Sequence, residues 1–176
     1  LQAPHCVVSG EGYIAPPKGG TLCFGATVKL RDHALDLRDE EHYENLSLLK
    51  KNSEALYRVV GGEALEKSDF DGRAALRSNA MGYLPIVGPL SKEIDFYHTY
   101  QALRSDARAY LTAPCPYFPH LYINGAHGAR GLITAPISGR VVAKMMVGAA
   151  SPLPQKLQEA LHPNRFYFHN LRFNKV

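Results

Sequence analysis

Three glycines spaced three apart, Gly125, Gly128 and Gly131, stand directly after the apolar run Leu121, Tyr122 and Ile123 and directly before a stretch with helical apolar spacing. A strand, a glycine loop and a helix start bring several unpaired backbone N–H groups and the positive end of a helix dipole to one point. Such a point receives anions and electron-rich oxygens. Glycine there lets the chain turn with positive φ and lets a flat ligand lie against the main chain. Pro136 is expected to fit the early helix, where the first N–H groups have no intrahelical partner to lose. The same spacing also suits a tight strand-to-helix turn whose glycines answer to packing alone, and the residue types by themselves leave both uses open. A phosphate loop of the usual kinds is excluded, because neither Gly-x-x-x-x-Gly-Lys-Ser/Thr nor Gly-x-Gly-x-x-Gly occurs in the chain.

The rest of the composition narrows the classes. A chain of 176 residues makes one compact domain or two small lobes. It begins with Leu1, shows no basic leader with a cleavage site, and is expected to be part of something longer. No apolar stretch reaches the roughly 18 residues a membrane helix needs. Cys6, Cys23 and Cys115 are odd in number and unpaired in sequence, which argues against a disulfide framework or a zinc site and for a reducing, cytoplasmic setting with no metal. A formal net charge of +4 permits an anionic partner without requiring one.

The elements that would position the loop follow from hydrophobic period and turn residues. Residues 5–30 predict a β-hairpin through the turn "PKGG". Residues 39–60 change to three-to-four spacing behind "DEE" and predict one amphipathic helix stopped at Gly61–Gly62. Residues 66–77 predict an interrupted strand, and "YLPIVGPL" a short strand ended by Gly88–Pro89. Residues 91–111 predict a helix, "APCPYFPH" an irregular segment, "LYINGA" a strand, 132–147 a buried helix and 154–161 a short one.

In this order, "GYIAP…GGTLCFGAT", "ALRSNAMGYLPIVGPL" and "YINGAHGARGLITAP" resemble the C-terminal half of the FAD-dependent D-amino-acid-oxidase-like family, which includes glycine and sarcosine oxidases. Within it, "LPIVG", "HGARGLITAP" and "ALHPNRFYFHNLRFNK" resemble the branch that modifies tRNA. The resemblance implies FAD as cofactor, with Gly128, Ala129, Arg130, Gly131 and Leu132 along the flavin ring and main-chain N–H groups toward its pyrimidine edge. It implies that Arg77 grips a substrate carboxylate, which a guanidinium does with two parallel hydrogen bonds. His127 either orients substrate or packs. Tyr13 either covers the ring or lies in the core, Arg130 either adds charge over the ring or faces outward, and Arg73 reads as a surface residue.

The fold class expected is α+β: a mostly antiparallel substrate-type sheet with covering helices, plus the C-terminal strand-loop-helix of an FAD-binding lobe whose N-terminal Rossmann part is absent. Residues 1–83 are assigned to the substrate portion and 84–176 to the FAD lobe, with an inserted helix at 91–111. The implied activity is oxidation of the carboxymethylaminomethyl group of a tRNA wobble uridine to aminomethyl. The implied partners are tRNA and the missing N-terminal FAD-binding and methyltransferase regions, and the fragment alone is expected to be inactive. A small amino acid such as glycine or sarcosine is the alternative substrate, and a non-catalytic binding domain is the third reading. The tail residues Arg165, His169, Arg172 and Lys175 suit a phosphate backbone, while the interleaved Phe166, Tyr167, Phe168 and Phe173 suit docking of a terminus.

Overall fold

The computed structural model describes residues 3–65 and 70–175 as mixed α/β, in two compact units, Leu1–Leu76 and Arg77–Val176.

In the first unit, β1 (Val8–Ser9), β2 (Tyr13–Ile14) and β3 (Phe24–Gly25) form a small antiparallel sheet in the order β1-β2-β3. Lys18 and Thr21 bridge across Gly19 and Gly20, whose φ angles of 61° and 81° are those of a two-residue hairpin turn. The sheet packs on α1 (Asp39–Asn52) through Ile14, Leu46 and Leu49. Asp39, Glu40 and Glu41 at the start of α1 and Lys50 and Lys51 at its end both complement the helix dipole.

The single helix expected at 39–60 is broken. Ser53 is extended (φ −162°, ψ 105°), and its hydroxyl accepts the Leu56 N–H to start α2 (Glu54–Val59), followed by α3 (Gly62–Leu65). Of the strand expected at 66–77, positions 66–69 lie outside the described residues, and 70–77 are irregular rather than extended into a sheet. Tyr13 is not a core residue: it is 42% exposed, and its neighbour Ile14 carries the core contact.

The second unit is built on an antiparallel pair, β4 (Ile86–Ser91) and β5 (Tyr117–Gly125). β4 does not stop at Gly88–Pro89 as expected. It runs on to Ser91 because Pro89 sits opposite Tyr122 next to a bulge, where a missing donor is tolerated. The same bulge draws Tyr117 to His120, expected to be irregular, into β5, with His120 at φ 58°. The helix expected at 91–111 is cut to α4 (Glu93–Thr99) and a 3-10 turn, Gln101–Arg104. α5 (Gly131–Met146) covers the β4-β5 pair through its buried Ser138 and Val141. Pro136 lies beyond the first four residues of α5, so Leu132 O has no donor there.

α6 (Gln155–Leu161) and α7 (Asn164–Arg172) complete the chain. The tail docks rather than projects: Leu171, Tyr167 and Phe168 pack against Phe96, Tyr100 and Leu103. Rings of Phe96 and Tyr100 meet edge to face at 4.7 Å. Among the described residues, no helix is long and apolar enough to cross a membrane.

Candidate functional site

The glycine loop joins β5 to α5 through a 3-10 turn, Gly128–Arg130. Its three glycines differ in why they are glycine. Gly128 has φ 57°, and a Cβ there would stand 2.3 Å from Asn79 Oδ1. Glycine relieves the left-handed backbone at 128, although Ala126 adopts φ 56° two residues before. Gly125 has no such backbone, and neither does Gly131, at φ −56° with only His127 Cβ at 3.5 Å from a built Cβ. Glycine in a helix is about 1 kcal/mol less favourable than alanine. Gly131 is the first residue of α5, and a Cβ there meets only ordinary contact with His127.

The loop is tied to the segment that carries Arg77. Gly128 N–H donates to Ser78 O at 3.0 Å, and Asn79 and His127 form an isolated antiparallel bridge. Arg77 thus begins the strand-like contact that borders the loop. It is exposed and, among the described residues, has no ion pair or hydrogen bond.

His127 is held on both sides of its ring. The Thr134 hydroxyl donates to Arg130 O at 3.0 Å and takes the Nδ1–H of His127 at 2.9 Å. Nε2 lies 3.0 Å from Asn124 Oδ1 as placed; a carboxamide turned to present its NH2 completes the pair. Ser138 continues the chain by donating to Thr134 O at 2.7 Å. These bonds fix the corner from β5 into the second turn of α5.

The outer side of the corner is open. No side chain caps α5 at its N-terminus, where the positive end of the helix dipole lies. Leu132 and Ile133 are 96% and 78% exposed, and Ala129 and Arg130 are exposed beside them. The corner thus combines a helix start without a side-chain cap, a glycine with no close neighbour but His127 Cβ, and two exposed apolar side chains.

Sequence spacing brought Gly128 to Leu132 and His127 together but missed their supports. Asn79 is 48 positions before His127, and no periodic signal links them. Thr134 was legible in principle, four residues after Arg130 on the same helix side. A second polar knot was also missed: Ser91 Oγ donates to Asn164 Oδ1 at 2.7 Å, and Asn164 Nδ2 donates to Cys115 Sγ at 3.1 Å. Arg165 donates to Leu84 O and Pro85 O at 2.8 and 2.9 Å and so anchors the entrance to β4. Among the described residues, no group of three or more His, Cys, Asp or Glu side chains gathers to hold a metal.

Residues 1–145 match the family model described as FAD dependent oxidoreductase. The tRNA 5-methylaminomethyl-2-thiouridine biosynthesis bifunctional protein MnmC of Chromobacterium violaceum is 44% identical over 170 residues, 97% of this chain and 26% of that protein. The protein of the same name from Pseudomonas putida strain W619 is 43% identical over 160 residues, 91% of this chain and 24% of its own length. That from Pseudomonas aeruginosa PAO1 is 41% identical over 170 residues, 97% and 26%. The chain thus spans about a quarter of the length of these curated relatives.

Proposed function

This chain belongs to the FAD dependent oxidoreductase family, and on that premise we propose that it forms one wall of the flavin site in an oxidase acting on tRNA. Residues 1–83 supply the substrate side and residues 84–176 the C-terminal part of the FAD lobe. The substrate is the carboxymethylaminomethyl group of a wobble uridine, oxidised at its C–N bond so that the aminomethyl group remains. In the full polypeptide, an N-terminal FAD-binding region and a methyltransferase region accompany this chain, and the chain alone is inactive. The setting is cytoplasmic. The relatives' names, all in tRNA 5-methylaminomethyl-2-thiouridine biosynthesis, support the tRNA substrate.

The observation that carries this reading is the open corner at Gly131. Bound FAD supplies the acceptor for the hydride of amine oxidation. The Ala129, Gly131 and Leu132 N–H groups aim the helix dipole at the edge where negative charge grows. Gly128 contributes shape, since its own N–H holds Ser78. Leu132 and Ile133 exclude water, and the Arg130 guanidinium stands at the turn. Arg77 holds the substrate carboxylate with two parallel hydrogen bonds. His127 positions the loop through Thr134 and Asn124.

The test uses the full-length protein with tRNA carrying carboxymethylaminomethyluridine, and separately with glycine and sarcosine. Oxidation of the tRNA is expected, with Arg77→Gln lowering kcat/KM by about 100-fold, the loss of a charge-assisted pair worth roughly 2–3 kcal/mol. Turnover of glycine or sarcosine in preference to tRNA would overturn the substrate. An unimpaired Arg77→Gln enzyme would overturn the role of Arg77.

A further inference from the structure

The two units carry opposite charge. Arg77–Val176 holds 11 of the 20 Lys and Arg residues but only 4 of the 16 Asp and Glu, a net +7, whereas Leu1–Leu76 is −3. The modest net charge of the whole chain hides this segregation.

Pairing sharpens it. Among the described residues, four cations of the first unit have carboxylate partners: Lys29 with Glu44, Arg38 with Asp32 and Glu41, Lys51 with Glu11 and Arg58 with Glu54. In the second unit the one ion pair among the described residues is Lys92 with Asp95, at 3.9 Å. Among the described residues, the other cations of that unit have no carboxylate partner.

Several of them converge. Leu103 and Leu171 are buried in one core cluster, and the exposed Arg104 and Arg172 directly follow them. The 3-10 turn packs against α7, so the two arginines are each one residue from the same buried cluster. Arg108 follows on the next turn, where Asp106 caps its N–H at 2.8 Å. Lys175 closes the C-terminal side, with Nζ donating to His169 at 3.0 Å. Two exposed rings are interleaved, Tyr110 at 91% and Phe173 at 64%. Unpaired cations among exposed aromatic rings match a single-stranded nucleic acid, whose phosphates take the charges and whose bases stack.

We infer that Arg104, Arg108, Arg172 and Lys175, with Tyr110 and Phe173, form an RNA-docking face, while the acidic first unit makes no phosphate contact. This rests on the tRNA reading above and adds the surface that reading leaves open.

The experiment measures binding of unmodified tRNA by the full-length protein at several salt concentrations. In Arg104→Gln/Arg172→Gln, the slope of log K against log salt is expected to fall by about 2, with affinity roughly tenfold weaker at physiological salt. In Lys51→Gln/Arg58→Gln, both are expected to stay as in the wild type. Thermal midpoints and Arg108→Gln, expected to reduce the slope by about 1, separate docking from folding. Wild-type slopes in the first double variant, with tRNA still bound, would overturn the face and leave the oxidase reading intact. Loss of tRNA binding in that variant, from a protein that never oxidises modified tRNA, would uphold the face and overturn the oxidase. A wild-type protein that ignores tRNA would overturn both.

Discussion

Ser78 accepts the Gly128 N–H at 3.0 Å, and that one bond joins the segment carrying Arg77 to the turn that starts α5. Ser78 and Gly128 stand 50 positions apart in sequence, so the bond links two distant segments. The glycines differ in setting: Gly128 has φ 57° beside Asn79, and Gly131 meets only His127 Cβ.

Substitution at these two positions should therefore diverge. Gly128→Ala forces a Cβ into Asn79 at φ 57°, and is expected to destabilise the chain by roughly 1–3 kcal/mol. Gly131→Ala meets only ordinary contact and is expected to be neutral or stabilising by up to about 1 kcal/mol. Urea unfolding of the two variants checks this, and equal losses would refute the division.

His162 should make stability depend on pH. Its Nδ1 accepts the Asn164 N–H at 3.0 Å, so Nε2 carries the proton toward the Tyr117 hydroxyl at 3.2 Å. Burial, and then the nearby Arg165 charge, hold its pKa down to about 4. In the unfolded chain it titrates near 6.5. Between those values the unfolded state binds the extra proton, so stability falls as pH drops from about 6.5 to about 4, by roughly 2–3 kcal/mol, and this group contributes no further change above 6.5. His162→Gln should flatten that limb of a urea-midpoint profile; an unchanged limb would assign it elsewhere.

The knot at the end of β4 should be expensive to cut on one side. Asn164→Ala strips Ser91 Oγ of its strongest acceptor in a buried site, and about 1–3 kcal/mol of destabilisation is expected from thermal or urea unfolding. Leu171→Ala, in the aromatic cluster with Phe96 and Tyr100, is expected to lose about 2–5 kcal/mol. A smaller loss at Leu171 than at an exposed helix position would mean that α7 does not hold the unit together.

What could be read beforehand followed the strength of the local pattern. The second half of β5, from Leu121, and α5 were legible because an apolar run and a long helical period are local signals, and α1 because acidic and basic ends reinforce its period. Ser53 escaped notice because one capping side chain can split a helix whose apolar spacing continues across the break. α7 was hidden because its buried face is aromatic and mixed with Arg and His, although Pro163 marks its start. The two-residue strands β1 to β3 are held by tertiary packing on Leu46 and Leu49, which no short window contains. In the loop, the glycines were visible, whereas Asn79, which stands against one of them, depends on a contact between distant segments.

The central claim, that the corner at Gly131 faces the flavin, is tested most directly by the FAD content and visible absorbance of the purified full-length protein carrying Gly131→Val, against Gly125→Ala. Filling the space at Gly131 should remove most of the bound FAD or shift its absorbance while the thermal midpoint of the apoprotein stays put, and Gly125→Ala should remain yellow. Stoichiometric FAD with an unaltered spectrum in Gly131→Val would contradict the account.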